Sequence, residues 1–428
     1  MNKIATEILI VGGGAAGMSA AVAAAECGAK ATVIDDNPRL GGQIWRAELG
    51  KTKSADGARL IEEIENGSIQ IFNRAQVFDA PGDRSVAAET PRGRVELAYQ
   101  KLILATGARE LFLPFPGWTF PNILGAGGLQ ALVKSGLNIE GKRVVVAGTG
   151  PLLLAVADYL KTKGAIIPAI FEQTSSAKIN RFARGLRRSP VKLLQAAVLR
   201  ARLIGVPYLT DSWVMSVQCR SPNDSKGIIT NGSDTGNLLS IAFLRRGKTQ
   251  KIECDYLACG FHLVPNTELA QLLGCDLNDG FVTIDEFQRT SKPNIFCAGE
   301  PTGIGGVEAS LIEGTIAGYA AAGEERRAGE SFAKRERTRR FADALNRTFA
   351  LRDELKTLAD EATVVCRCED VQYGKLKDFE NWRTTKLQTR CGMGPCQGRV
   401  CGAAVEFLFG WRPDSIRPPI FPVKLENL

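Results

Sequence analysis

"TEILIVGGGAAGMSAAVAAAECGAKATVIDDN", residues 6–37, decides the fold. Ile8 to Val11 form an unbroken apolar run, as a strand buried on both faces requires. Gly12, Gly14 and Gly17 then follow as G-x-G-x-x-G at the head of an Ala-rich segment of helical character. Gly12 permits a tight turn, and Gly14 lets the backbone approach a pyrophosphate, which the helix N-terminus stabilises. Gly17 allows close helix–strand packing, and Ala15 and Ala16 complete the candidate cradle. A second apolar strand ends at Asp35, 23 residues beyond Gly12, where a carboxylate can bind ribose hydroxyls. Asp36 stands beside it. Strand, turn, helix, strand and acid together point to a bound dinucleotide, which the glycines alone would not.

The same arrangement recurs in "GKRVVVAGTGPLLLAVADYLKTKGAIIPAIFEQ", residues 141–173. Gly148 and Gly150 hold the first two glycine positions, and Leu153 stands where the third would be. Glu172 ends the second strand and would repel a 2′-phosphate, which disfavours NADP. Three readings stay open for this segment: an NAD site, a site for another adenine nucleotide, or a nucleotide fold kept for architecture.

A third constellation lies near the C-terminus. "VVCRCEDV" (364–371) and "TRCGMGPCQGRVC" (389–401) give Cys366-x-Cys368, 27 intervening residues, then Cys396-x4-Cys401. Four thiolates suit a 2Fe-2S cluster, and Gly392, Gly394 and Gly398 can bring backbone amides to the sulfurs. A helix beginning near Arg399 would put Cys401 in its first turn, where the dipole favours a thiolate. Zinc competes, but C-x-C is shorter than the usual paired-ligand spacing. A chain without any metal here is the third reading. Cys391 is a fifth thiol of unassigned role.

The 428 residues suffice for two or three domains. Several chemistries are excluded by scarcity. His262 is the single histidine, so a Rieske centre and His-rich zinc sites are ruled out. No substrate-binding arginine cluster or general base stands out. No apolar run reaches transmembrane length. With no secretory signal, the eleven cysteines are not expected to form structural disulfides, and the chain is expected in the cytoplasm, or peripheral to a membrane. Cys27, Cys219, Cys275 and Cys297 read as small buried hydrophobes. Cys254 and Cys259 lack C-x-x-C spacing, so an active disulfide of the thioredoxin-reductase type is not expected. The net charge of +8 concentrates in 178–202 and 324–340. No nucleic-acid module accompanies it, so these runs read as solvated helical faces or a surface for an acidic partner. The Pro-rich tail 417–428 is a second candidate partner surface.

"RLGGQIW" (39–45), the Ala105-Thr106-Gly107 strand end in "KLILATGARE" (101–110) and Ala298-Gly299-Glu300 in "RTSKPNIFCAGEPTGIGG" (289–306) add a resemblance. Together with the two fingerprints they resemble the two-dinucleotide-domain, glutathione-reductase-like flavoproteins. The resemblance implies FAD at the first fingerprint, with Gly42 and Gln43 near the isoalloxazine, Thr106 and Gly107 lining the flavin, and Gly299 and Glu300 beside the ribityl chain and phosphate. The cysteine segment resembles the ferredoxin-like 2Fe-2S module of the bacterioferritin-associated type. "ELFLPFPGWTFPNILGAGGLQALVK" (110–134), "FHLVPNTELAQLLGC" (261–275) and "RPPIFPVKLENL" (417–428) narrow it further. The chain resembles the FAD/2Fe-2S subunit of heteromeric opine oxidases, proline and hydroxyproline dehydrogenases and hydrogen cyanide synthase.

That resemblance implies an α/β fold in four parts. Residues 1–115 and 255–325 would form a split FAD-binding domain, 116–254 an NAD-binding-like domain, 326–360 a helical linker and 361–428 the 2Fe-2S domain and tail. It also implies an oxidoreductase subunit for CH–NH donors. A partner subunit related to glycine and D-amino-acid oxidases would oxidise the amine at its own flavin, with a third small subunit in some complexes. Cys366, Cys368, Cys396 and Cys401 would hold the cluster, and some members carry an FMN at the subunit interface. Two other functions stay open: an NADH-dependent reductase that uses Gly148, Gly150 and Glu172, and a non-catalytic scaffold with a zinc-binding tail.

Overall fold

The computed structural model describes residues 2–45, 54–186, 190–220, 238–413 and 415–428. Part of the basic run 178–202 (187–189) and part of the expected middle domain (221–237) lie outside the described residues. The chain divides into two compact units. The first comprises Met1–Arg109, Leu263–Asp343 and Ser415–Leu428, and the second Glu110–His262 and Ala344–Asp414.

The first unit is built on a mixed sheet. Strand Asn2–Val11 lies parallel between Ala31–Ile34 and Gly93–Leu104, with Val11 opposite both Ile34 and Leu104. The apolar run foreseen at Ile8–Val11 is the buried end of this longer strand. Gln70–Phe72 adds a further parallel strand outside Ala31–Ile34. Strand Gly93–Leu104 changes partner along its length. Its first half pairs antiparallel with Ser85–Thr90, and Leu102–Leu104 pair parallel with Ile295–Cys297.

Two helices cover this sheet with almost no side chain between them. Ala15–Ala25 packs on Gly306–Ala321, which begins four residues earlier than the segment 310–322 suggests. A Cβ on Gly314 would lie 2.1 Å from the Ala16 carbonyl oxygen, and one on Gly318 would lie 2.3 Å from that of Ala20. Small residues on both partners therefore set the spacing of the helices.

The second unit holds a five-stranded parallel sheet in the order 208–210, 170–172, 144–148, 256–260, 123–125. Strands 212–220, 238–245 and 248–254 form a separate antiparallel sheet. The same unit contains the cysteine segment, where Val364–Cys366 pairs antiparallel with Val371–Gln372. Val365, Val371, Leu376, Trp382 and Val405 make its small core.

Three expectations need revision. Cys275 and Cys297 are buried, but Cys27 and Cys219 are only half-buried. Cys27 follows the last turn of a helix, and Cys219 lies next to the end of its strand, where cover is incomplete. The basic run 324–340 is not simply a solvated face. Arg335 is buried and donates to the Glu286 carbonyl, and Arg339 pairs with Glu313 at 2.9 Å. The tail 417–428 is engaged within its own unit. The Ile420 amide donates to the Phe78 carbonyl at 2.8 Å, and the Asn427 amide side chain donates to Glu89 at 2.7 Å. Among the described residues, no helix is long and apolar enough to cross a membrane, and every cysteine is free.

Candidate functional site

The first fingerprint forms a floor of bare backbone. Gly12 has φ +110°, and a Cβ there would lie 2.2 Å from the Ala105 carbonyl oxygen. A Cβ on Gly17 would lie 1.8 Å from the Gly12 carbonyl oxygen. The helix starting at Ala15 has eleven residues, and its first-turn amides have no partner inside the helix. Gly42, at φ +56°, brings its backbone against Gly14, where a Cβ would stand 3.0 Å from the Gly14 Cα. Gln43 is exposed beside it. Asp35 is buried and braces the turn. Its Oδ2 accepts from the Gly13 amide at 2.5 Å, and its Oδ1 accepts from the Asn37 amide at 2.8 Å. Asp36 points outward and accepts from the Asn37 side chain.

The neighbouring strand ends contribute to the same edge of the sheet. The Thr106 hydroxyl donates to the Asn266 carbonyl at 2.5 Å, and the Asn266 side chain donates back to the Thr106 carbonyl at 2.9 Å. Gly107, at φ +68°, turns the chain there, and its carbonyl accepts from the Asn266 amide. Gly299, at φ +82°, approaches the helix so closely that a Cβ would lie 3.0 Å from that of Ala16. Its amide donates to Glu313 at 2.9 Å, and the same carboxylate accepts from Thr302 and from Arg339. Sequence reading missed Glu313, Arg339 and Asn266, because none belongs to a motif. A carboxylate within a largely apolar helical run is the one signal that could have pointed to Glu313.

Glu300 is the one strongly perturbed carboxylate on this edge. Its Oε1 accepts from the Gly306 amide at 2.9 Å, while Oε2 is buried without a partner among the described residues. Burial, aided by the charge of Glu313, raises its pKa to about 7. The raised value means the folded chain favours protonated Glu300, so stability is lost as pH rises through about 7. Glu300→Gln removes that cost. Thermal unfolding of the flavin-free chain should show the variant more stable than wild type at pH 8, by on the order of 1–3 kcal/mol. The difference should shrink as pH falls below about 7 and vanish by about pH 4, below the ordinary carboxylate value. An equal gain at both pH values would sink this account.

In the second fingerprint, Gly148 and Gly150 have φ +145° and +86°. Leu153 is fully buried at the third glycine position. Room for it comes from Gly260 on the adjacent strand, where a Cβ would lie 3.1 Å from Leu153 Cδ2. Glu172 is also fully buried, and burial raises its pKa.

The cysteine segment brings thiols together from three places. The sulfurs of Cys366, Cys391 and Cys401 lie within 4.8 Å of one another, all buried. Cys396, half-buried, hydrogen-bonds through its sulfur with Cys401 and with exposed Cys368. Backbone amides point at these sulfurs: those of Gly392 and Glu369 at Cys366, those of Gly398 and Val400 at Cys396, and that of Cys396 at Cys368. Hydrogen bonds from Cys391 and Cys401 pull the Cys366 thiol far below the ordinary range, and a hydrogen bond from Cys401 brings Cys396 down to about 5. Gly394 lets the loop close on Cys368, since a Cβ there would lie 2.3 Å from that of Cys368. Gly392 passes under Trp382, whose ring would stand 2.7 Å from an added Cβ. Cys401 is the first residue of helix Cys401–Phe409. The same shared hydrogen bonds push Cys391 and Cys401 up, so the thiols divide between favoured and disfavoured thiolates. Soft donors and amides directed at sulfur fit an iron–sulfur cluster.

Residues 6–325 match the pyridine nucleotide-disulphide oxidoreductase family. The chain belongs to this family. Membership makes it an oxidoreductase and implies FAD binding. Within the family it is 31% identical to hydrogen cyanide synthase subunit HcnB of Pseudomonas protegens, over 92% of this chain and 89% of that protein. It is 30% identical to an opine oxidase subunit of Rhizobium meliloti, over 99% of this chain and 87% of that protein. Its fold is similar to that of L-proline dehydrogenase from P. horikoshii, with TM-score 0.65 and 18% identity, covering all of this chain and 80% of that one. Thioredoxin reductase from T. acidophilum covers 75% of this chain and 99% of its own, with TM-score 0.55 and 21% identity.

Proposed function

We propose that this chain is the FAD- and 2Fe-2S-carrying relay subunit of a heteromeric amine dehydrogenase, which acts on CH–NH donors through a partner protein. The observation that carries the reading is the pairing of an intact dinucleotide cradle with a cysteine cluster whose sulfurs receive backbone amides. Similarity to proteins named as subunits supports the need for a partner. The flavin-holding residues would be Gly12, Gly14, Ala15, Ala16, Gly17, Asp35, Gly42, Gln43, Thr106, Gly107, Gly299 and Glu300. Cys366, Cys368, Cys396 and Cys401 would hold the cluster. When bound, flavin accepts an electron pair and the cluster passes single electrons onward.

The chain's own residues supply placement and electrostatics. Asp35 fixes the turn at Gly13 and presents a carboxylate to a ribose. The orphan oxygen of Glu300 offers a hydrogen-bonding group that is neutral below about pH 7. Glu313 and Arg339 hold the Gly299 turn in place. Similarity to hydrogen cyanide synthase subunit HcnB, at an identity matching that to the opine oxidase protein, supports the same relay role with a different amine.

An absorption spectrum of the anaerobically purified chain, with iron and acid-labile sulfide assays, tests the reading. Flavin bands and about two iron and two sulfide per chain are expected, with no bleaching by NADH. Zinc without sulfide would overturn the cluster, and rapid bleaching by NADH would make the chain a self-sufficient reductase.

A further inference from the structure

The second fingerprint should offer an adenosine pocket between the glycine turn and Glu172. In this chain other groups occupy that space. Glu172 is fully buried and already accepts from three donors. The Gly150 amide at 2.7 Å and the Tyr208 hydroxyl at 3.3 Å reach Oε2, and the Thr174 amide at 2.8 Å reaches Oε1. The Thr149 hydroxyl lies 3.2 Å from Oε1 and closes the carboxylate in on that side, while its single proton goes to the Phe349 carbonyl. Little of the carboxylate is then left to receive ribose hydroxyls.

The segment Phe349–Arg352 lies across the turn. Phe349 is 7% exposed, and its ring would stand 3.7 Å from a Cβ on Gly150. It meets Phe182 edge-on at 5.8 Å. The Thr149 hydroxyl donates to the Phe349 carbonyl at 3.0 Å, and the Gln173 side chain donates to the Ala350 carbonyl at 3.0 Å. Arg352 donates from its amide to Gln173 Oε1 at 3.2 Å and from its guanidinium to the Gln173 carbonyl at 3.1 Å. That guanidinium also lies 4.2 Å from the Trp213 ring centroid.

Part of the anion cradle is used as well. The Thr149 amide donates to the Gly260 carbonyl, and the Gly150 amide donates to Glu172. Pro151, directly after the second glycine, has no amide proton to offer a phosphate.

We infer that Phe349 and its tether occupy the adenosine position of the second fingerprint, making Phe349 the residue that excludes nicotinamide dinucleotides as electron donor. An aromatic ring and two backbone carbonyls replace adenine and ribose on the same protein groups. Electrons must then enter by another route, which fits a relay subunit but does not depend on the identity of its partner.

The test is binding, read independently of flavin or cluster content. Calorimetry of the full wild-type chain with NADH and with 5′-AMP should show no saturation at millimolar ligand. Phe349→Ala opens the pocket and should raise 5′-AMP affinity by at least about tenfold. Phe349→Leu, which keeps an apolar filler, should bind no better than wild type. Wild-type saturation by either ligand at a competitive site, shown by each displacing the other, would overturn the inference. So would a folded Phe349→Ala chain without gain. If Phe349→Ala does not fold, Arg352→Ala removes the guanidinium tether to the Gln173 carbonyl so that the ring can leave the turn, and its lack of any gain would equally count against the plug.

Discussion

Cys396→Ala should yield a chain that keeps its flavin bands and loses its iron and sulfide, from about two of each to none. Cys396 occupies the centre of the thiol network, in contact with Cys401 and Cys368 and accepting from the Gly398 and Val400 amides. Removing it breaks the link between the buried and the exposed thiols and leaves two amides aimed at nothing. Neither neighbour can replace it, because Pro395 and Gln397 carry no thiol. Cys391→Ala should behave differently and retain both iron and sulfide. Cys391 is fully buried and belongs to the same small core as Val365, Trp382 and Val405. The C-x-C and C-x4-C pairs already supply four thiolates. Because Cys391 belongs to the close trio with Cys366 and Cys401, loss of iron on its substitution would redraw the ligand set. Full iron and sulfide in Cys396→Ala would remove Cys396 from the ligand set.

The contrast shows which parts of the site were legible in the sequence. Backbone-driven features were readable because only glycine tolerates them. Gly12 and Gly17 leave less than 2.5 Å for a Cβ, so the turn could be named from residue types alone. The cysteine segment was readable in part. The expected amides of Gly392 and Gly398 do point at sulfur, but the close trio includes Cys391, which the C-x-C and C-x4-C spacing left unassigned. Side-chain bracing was not readable. Glu313, Arg339 and Asn266 brace the strand ends at Gly299 and Thr106 across 11 to 160 residues of sequence. No local motif marks them. Phe349 was hidden for the same reason, since its partner Thr149 lies 200 residues upstream. The basic run 324–340 misled because charge counts ignore burial. Arg335 is buried against a backbone carbonyl, and Arg339 is consumed by Glu313.

The third glycine position makes the sharpest comparison between the two fingerprints, since one chain carries both solutions. Gly17→Leu should abolish flavin retention and, with it, most soluble protein. The added Cβ would stand 1.8 Å from the Gly12 carbonyl oxygen, which is main chain and cannot swing away. The helix cannot retreat either, because Gly314 and Gly318 of the covering helix leave no room behind Ala16 and Ala20. Any relief must tear the turn from the strand and scatter the amides that would face a pyrophosphate. Leu153 tolerates the equivalent position because the glycine has moved to the neighbouring strand. Gly260 leaves the space that Leu153 Cδ2 fills, and its carbonyl bounds Gly148. Leu153→Ala should therefore open a cavity beside Gly260, costing about 3–4 kcal/mol in denaturant unfolding while flavin content per folded chain stays at the wild-type level. A soluble, flavin-loaded Gly17→Leu chain would mean that the helix can shift after all. A Leu153→Ala chain that lost flavin would tie the second fingerprint to cofactor retention, a role that its spent donors and filled pocket argue against.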